Sequence, residues 1–196
     1  MNGIAGRPAL FLDRDGVVNV DRGYVHRVDL FEFLPGIFEL ARFAAERAWP
    51  IVVVTNQAGI GRGLYSEADY QTVNRWMNDR FRSEQAPIAK VYHCPFHAEL
   101  GIGEYRVDHP WRKPKPGMIL QAAADLGLDL SRSCLIGDKL TDIEAAAAAG
   151  IPERILLDSR GLASASAVPP HRVAVDLPQA LALLREFGLS GAIGGQ

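Results

Sequence analysis

Apolar and polar positions along the chain alternate between two kinds of segment. Short runs such as Ala9–Leu12, Ile51–Val54 and Cys134–Ile136 are apolar throughout. Longer stretches, such as 37–48 (IFELARFAAERA), repeat their apolar residues at helical spacing. The uniform β-branched run Ile51–Val54 suggests a strand buried on both faces. The pattern predicts strands at 9–13, 51–54, 89–93, 133–137, 154–158 and 173–175. It predicts helices at 37–48, from Ser66 to about Phe81, and at 117–126, 140–149 and 178–187. Ser66 with Asp69 three residues later approximates a capping box, and Gly127 is placed to stop a helix.

Strands alternating with helices imply a parallel sheet with right-handed crossovers and helices on both faces. The expected class is therefore α/β and Rossmann-like, as one domain over residues 1–190 with a frayed tail at 191–196. Four stretches lack a clear period: the polar-aromatic 14–35, the glycine-rich 55–63, the excursion 94–117 and the Ala/Ser/Pro-rich 161–170. None is large enough for a separate cap domain. An irregular segment of 24 residues at 94–117 is unusual in a compact fold, and such loops are often functional.

Composition narrows the class. A chain of 196 residues that is 48% hydrophobic supports a sizeable core, and a formal net charge of −2 offers no basic surplus for nucleic acid. No apolar run approaches the roughly 20 residues of a membrane span. The first residues lack the apolar stretch of a secretory signal. Two cysteines, Cys94 and Cys134, make no disulfide framework. The expectation is a cytoplasmic enzyme or binding protein with reduced thiols. With no apolar heptad or long edge strand evident, a monomer is expected.

The first strand delivers two carboxylates, Asp13 and Asp15, to its end, with Gly16 next. Residues two apart on an extended chain point the same way, roughly 6–7 Å apart. Two acids held that close must share a cation or keep a proton between them. Both conditions suit phosphoryl transfer, which uses a metal-bound nucleophilic carboxylate beside a protonated carboxyl. A calcium loop is a poor match, because Gly16 comes fourth and Val17 occupies the fifth position. Three more segments sit where strands end, the place where such sheets build sites. Thr55-Asn56-Gln57 offers a hydroxyl and amides to phosphate oxygens. Arg112-Lys113-Pro-Lys-Pro-Gly117 carries three cations on a stiff turn. Asp138 and Asp142 lie one helical turn apart. Each alone has a structural explanation, as a turn, a solvated basic stretch or a helix cap.

Taken together and in this order, the four segments resemble the four signature motifs of the haloacid dehalogenase-type (HAD) phosphatases. The resemblance covers about residues 9–150. A narrower one is visible in Asp13-Arg-Asp-Gly-Val-Val-Asn19-Val-Asp21-Arg-Gly-Tyr24, Phe31-Glu-Phe-Leu-Pro-Gly, Thr55-Asn-Gln-Ala-Gly-Ile-Gly-Arg-Gly and Arg112-Lys-Pro-x-Pro-Gly-Met. These are similar to the D-glycero-D-manno-heptose 1,7-bisphosphate phosphatases, with histidinol-phosphate phosphatases close by. The resemblance implies a capless Mg2+-dependent phosphomonoesterase. Its substrate would be a small phosphorylated sugar, from which it removes the 7-phosphate in heptose synthesis for lipopolysaccharide or nucleotide-activated heptose glycans. It implies Asp13 as nucleophile, Asp15 as acid and base, and Thr55 and Lys113 as holders of the phosphoryl group. Mg2+ would sit on Asp13, the Asp15 carbonyl and Asp138, supported by Asp142. Asp21, Arg22, Gly23, Tyr24, Asn56, Gln57, Arg112 and Lys139 would contact substrate.

One family feature is incomplete here. Many members fold the loop before the Arg-Lys-Pro segment around zinc, but two of the four ligand positions hold Phe96 and Trp111. Cys94, His97 and His109 remain, one short of a structural zinc set. The loop is therefore expected to pack through Phe96, Tyr105 and Trp111 without structural zinc. Histidinol phosphatase activity, a non-catalytic sugar-phosphate-binding protein and a phosphotransferase are the alternatives. The last of these usually needs a cap to exclude water.

Overall fold

The computed structural model describes residues 6–158 and 169–190. Six parallel strands run in the order β3-β2-β1-β4-β5-β6. They are β1 (Leu10–Leu12), β2 (Ile51–Asn56), β3 (Ile88–Cys94), β4 (Cys134–Gly137), β5 (Glu153–Leu157) and β6 (Arg172–Ala174). The helices are α1 (Ile37–Glu46), α2 (Ala58–Gly61), α3 (Glu67–Ser83), α4 (Gly117–Leu126), α5 (Leu140–Ala148) and α6 (Leu177–Ser190). Strand alternation divides the core between the two faces. Leu10, Leu12, Val53 and Ile136 pack with α1, α3 and α6, through Leu40, Phe43, Met77, Phe81 and Leu184. Phe11, Val52, Val54 and Leu135 pack with α4 and α5, through Met118, Ile119, Ala145 and Ala146.

Chain order reverses between β1 and β4, so their carboxyl ends open a crevice where a parallel sheet places its ligands. Two local differences from the pattern bear on that crevice. β2 runs two residues beyond the expected 51–54, because Thr55 and Asn56 continue in register with His93 and Cys94 of β3. The expected glycine-rich loop is thus a strand end followed by the single turn α2. The polar-aromatic stretch after Asp15 is held instead by rings. Phe31 lies 4.9 Å from Phe33 and 5.5 Å from Trp76, which pins it to α3. Ser66 caps α3 with the reciprocal bonds expected of it, accepting from Asp69 N–H at 3.1 Å. The tail at 191–196 and most of the 161–170 loop lie outside the described residues.

Among the described residues no helix is long and apolar enough to cross a membrane.

Candidate active site

Asp13 follows the last residue of β1, and its backbone N–H donates to Ile136 of β4 at 3.1 Å. The carboxylate is therefore set against the neighbouring strand's end, where Asp138 and Asp142 stand. One carboxylate oxygen from each of Asp13, Asp138 and Asp142 lies within 4.8 Å of the others. Lys113, arriving from the Arg-Lys-Pro turn, drives its ammonium into this group. Its Nζ is 2.8 Å from Asp13, 2.6 Å from Asp142 and 2.8 Å from the Val54 carbonyl, to which it donates. Both side-chain atoms of the Asn56 amide hold the Lys113 backbone, at 3.1 Å each. Asn56, expected at the substrate, lines the cavity but spends its amide on placing Lys113.

Burial of these charges sets their proton affinities. Burial pushes the Asp13 carboxyl up, Lys113 pulls it back, and Asp142 adds to the rise. Burial and the Asp13 charge raise Asp138 to about 7, with Lys139 opposing. Burial works against the Lys113 ammonium, but Asp13 and Asp142 outweigh it and keep the charge. Three carboxylates thus face one fully buried cation and the half-exposed Lys139, whose Nζ is 3.4 Å from Asp138 and 3.1 Å from Asp21. The surplus is negative, which a divalent cation would relieve. The residues fit one: all donors are hard oxygens, and the buried Oδ1 of Asp138 has no protein partner. Gly16 leaves this side open, with φ +94°; a Cβ there would sit 2.2 Å from Asp138 Oδ2.

Asp15 has a different environment. The buried Arg14 guanidinium donates to it from Nε and Nη2 at 2.8–3.1 Å. Asn19 Nδ2 adds a bond at 3.0 Å and Gln57 Nε2 another at 3.0 Å. Arg14 is itself anchored to the Val25 carbonyl at 2.8 Å. Sequence reasoning gave Arg14 and Asn19 no role, although both lie inside the first motif. The missed signal was an arginine, rarely buried unless paired, in an otherwise buried strand end.

A cavity of about 500 Å³ opens over these groups, lined by Asp13, Asp15, Asp21, Gly23, Tyr24, Thr55, Asn56, Gln57, Ala58, Tyr65, Arg112, Lys113, Lys139, Thr141 and Asp142. Asp138 lines an adjoining hollow with Gly16 and Lys139. Arg22 lines neither; its exposed guanidinium pairs with Glu32. Cys94 is buried at the end of β3. His97 Nδ1 accepts from the backbone of Glu99 and Leu100, and His109 Nδ1 from that of Trp111. Phe96 stacks on His109 at 4.3 Å and meets Tyr105 at 5.6 Å, while Trp111 meets Tyr92 edge-on at 5.9 Å. His93 is drawn instead to Glu67, 3.0 Å away.

A parallel sheet of this order, with a buried Lys113 bridging Asp13 and Asp142, defines a HAD-type phosphatase. A family model described as HAD-hydrolase-like matches residues 110–180. The D-glycero-alpha-D-manno-heptose-1,7-bisphosphate 7-phosphatase of Burkholderia mallei is 54% identical over 78% of this chain and 80% of that protein. The D-glycero-beta-D-manno-heptose-1,7-bisphosphate 7-phosphatase of Vibrio cholerae is 45% identical over 77% and 81%. In structure, a D,D-heptose 1,7-bisphosphate phosphatase from B. bronchiseptica, complexed with magnesium and phosphate, superposes with a TM-score of 0.80 at 29% identity, covering 91% of this chain and 98% of that one. A HAD-like phosphatase from Mesorhizobium loti gives 0.79 at 37%, covering 93% and 88%. The chain belongs to the D-glycero-D-manno-heptose-1,7-bisphosphate 7-phosphatase family, and it is a phosphatase.

Proposed function

We propose that this enzyme removes the 7-phosphate of D-glycero-D-manno-heptose 1,7-bisphosphate through an aspartyl-phosphate on Asp13. The observation that carries the substrate is the 54% identity, across four-fifths of its length, to a relative with that activity. Asp13 Oδ attacks phosphorus and the bond from phosphorus to the sugar oxygen breaks. Asp15 gives its proton to the departing oxygen. Water then adds to the aspartyl-phosphate, Asp15 takes the water's proton, and phosphate leaves as Asp13 is restored. Lys113 and Thr55 hold the phosphoryl oxygens, offsetting the repulsion between an anionic nucleophile and an anionic phosphate. Mg2+ held by Asp13, the Asp15 carbonyl and Asp138, with Asp142 in support, would supply further charge stabilisation. Tyr24, Arg112 and Lys139 line the route by which the sugar enters.

The reading includes a cytoplasmic monomer serving heptose synthesis. Both cysteines are buried and unpaired, in keeping with that compartment. The test is phosphate release from both anomers of heptose bisphosphate and from histidinol phosphate, with Mg2+ present. The bisphosphate should be preferred. Faster turnover of histidinol phosphate would overturn the assignment.

A further inference from the structure

We propose that Tyr65 is a positioning residue. Its hydroxyl anchors the Gln57 amide, whose NH2 group serves Asp15 and Thr55, and it thereby helps to hold both of these groups in place without touching either. The proposal rests on the roles given above to Asp15 and Thr55.

Gln57 is 2% exposed and stands between three groups. Its Nε2 donates to Asp15 Oδ2 at 3.0 Å and to Thr55 Oγ1 at 2.9 Å, using both protons. Its Oε1 accepts from the Tyr65 hydroxyl at 2.5 Å. An amide oxygen only accepts, so in this arrangement the Tyr65 hydroxyl is the donor and anchors the amide's oxygen end. The reverse orientation would set Oε1 against the Asp15 carboxylate, acceptor facing acceptor. The Asp15 carboxylate therefore selects the orientation of the amide, and the Tyr65 hydroxyl fixes its far end in place.

The consequence reaches Thr55. Because Oγ1 accepts from Gln57, its own O–H remains for a phosphate oxygen. No protein acceptor among the described residues takes that proton. Tyr65 is built to hold still. His26 stacks on its ring at 4.9 Å with 4° between planes. Gly59 permits its approach: a Cβ at Gly59 would lie 2.1 Å from Tyr65 Cε1. Burial raises the affinity of the Tyr65 hydroxyl for its proton, so it stays a donor.

The test is a double-mutant cycle of Tyr65→Phe and Gln57→Met. It is read as kcat and KM on a sugar phosphate that the wild type turns over and on p-nitrophenyl phosphate, with thermal melts of each variant. Tyr65→Phe should lower kcat on the sugar phosphate about tenfold, the worth of one buried hydrogen bond, with KM little changed. Adding it to Gln57→Met should cost nothing further, because Tyr65 acts only through that amide. The Gln57→Met loss should shrink on the aryl phosphate, whose leaving oxygen needs no proton from Asp15. Additive losses, an unchanged kcat, or an effect on KM alone would overturn the proposal. Should Tyr65→Phe not fold, Gln57→Met is combined with Asp15→Asn instead, and full additivity there overturns it. Wild-type enzyme that ignores heptose bisphosphate but hydrolyses other monoesters would sink only the substrate reading and leave the cycle readable.

Discussion

The end of β1 and the loop at 94–112 meet at Arg112 and Lys113, yet they are held together by opposite means. At the strand end, charge holds charge: Asp13 and Asp142 close on the buried Lys113, with Asp138 beside them. In the loop, rings hold rings: Phe96 on His109 and Tyr105, and Trp111 on Tyr92. Ring contacts are tolerant, because each is a modest increment on general burial. Buried charges are not, because removing the buried cation leaves the acids around it uncompensated. The same contrast explains why the first region carries chemistry. Its negative surplus is unfavourable without a bound cation, whereas the rings of the loop satisfy one another.

The largest break in this contrast is Asp13→Asn. Turnover should fall on the order of 10⁴-fold or more, as when a covalent nucleophile is removed. The metal-free melting temperature should stay level or rise, because one of three crowded acids is gone while Asp142 still pairs with Lys113. Steady-state kinetics and a thermal melt on the same preparation check both halves. Substantial residual activity, free of deamidation, would falsify covalent catalysis at Asp13.

Lys113→Met separates stability from chemistry less cleanly. The variant should lose about 10²–10³-fold in kcat, the usual cost of one group that stabilises transition-state charge. It should also be destabilised by about 3–5 kcal/mol near pH 8, since two buried carboxylates lose their cation. Urea denaturation at pH 8 measures this. A variant as stable as the wild type would mean that water already shields the cluster.

Acidity sharpens the contrast through Asp138. Its folded value of about 7 lies above the ordinary carboxylate value of 3.8. Between these values the native state binds more protons than the unfolded one. Metal-free stability should therefore fall as pH rises from about 4 to 7, then level off with respect to this group. Mg2+ requires the ionised form, so its affinity should weaken about tenfold per pH unit below 7 and plateau above. Calorimetric titration at pH 6 and pH 8 decides it; equal affinities would remove Asp138 from the metal site.

The smallest effect belongs to the loop. Trp111→Ala should destabilise by about 2 kcal/mol, less than a fully buried tryptophan, and change kcat only a few-fold. The purified protein should contain well under one equivalent of zinc, and chelation should leave the fold intact, because structural zinc takes four protein ligands. Elemental analysis with a melt before and after chelation is the check. Stoichiometric zinc, with the loop unfolding on its removal, would show that Cys94, His97 and His109 find a fourth ligand.

Much was legible in the sequence because it is local. The period of the apolar positions marks the strands and helices, and the uniform run Ile51–Val54 announces a strand covered on both faces. Asp13 and Asp138 are conspicuous as polar residues at the ends of apolar runs, and Lys113 as part of a proline-stiffened basic turn. The rest depends on pairs far apart in the chain. That Asn56 grips Lys113, that Arg14 closes on Asp15, and that Tyr65 reaches Asp15 through Gln57 are matters of which neighbour stands at hydrogen-bonding distance. Spacing along a strand or helix cannot convey this, because a side-chain amide fits a substrate or a backbone equally well by composition. The element ends were uncertain for the same reason: Thr55 and Asn56 belong to β2 only because β3 lies alongside to pair with them. Local propensity proposes a strand, but its last residues are settled by the partner strand's hydrogen bonds, and those form only in the folded sheet.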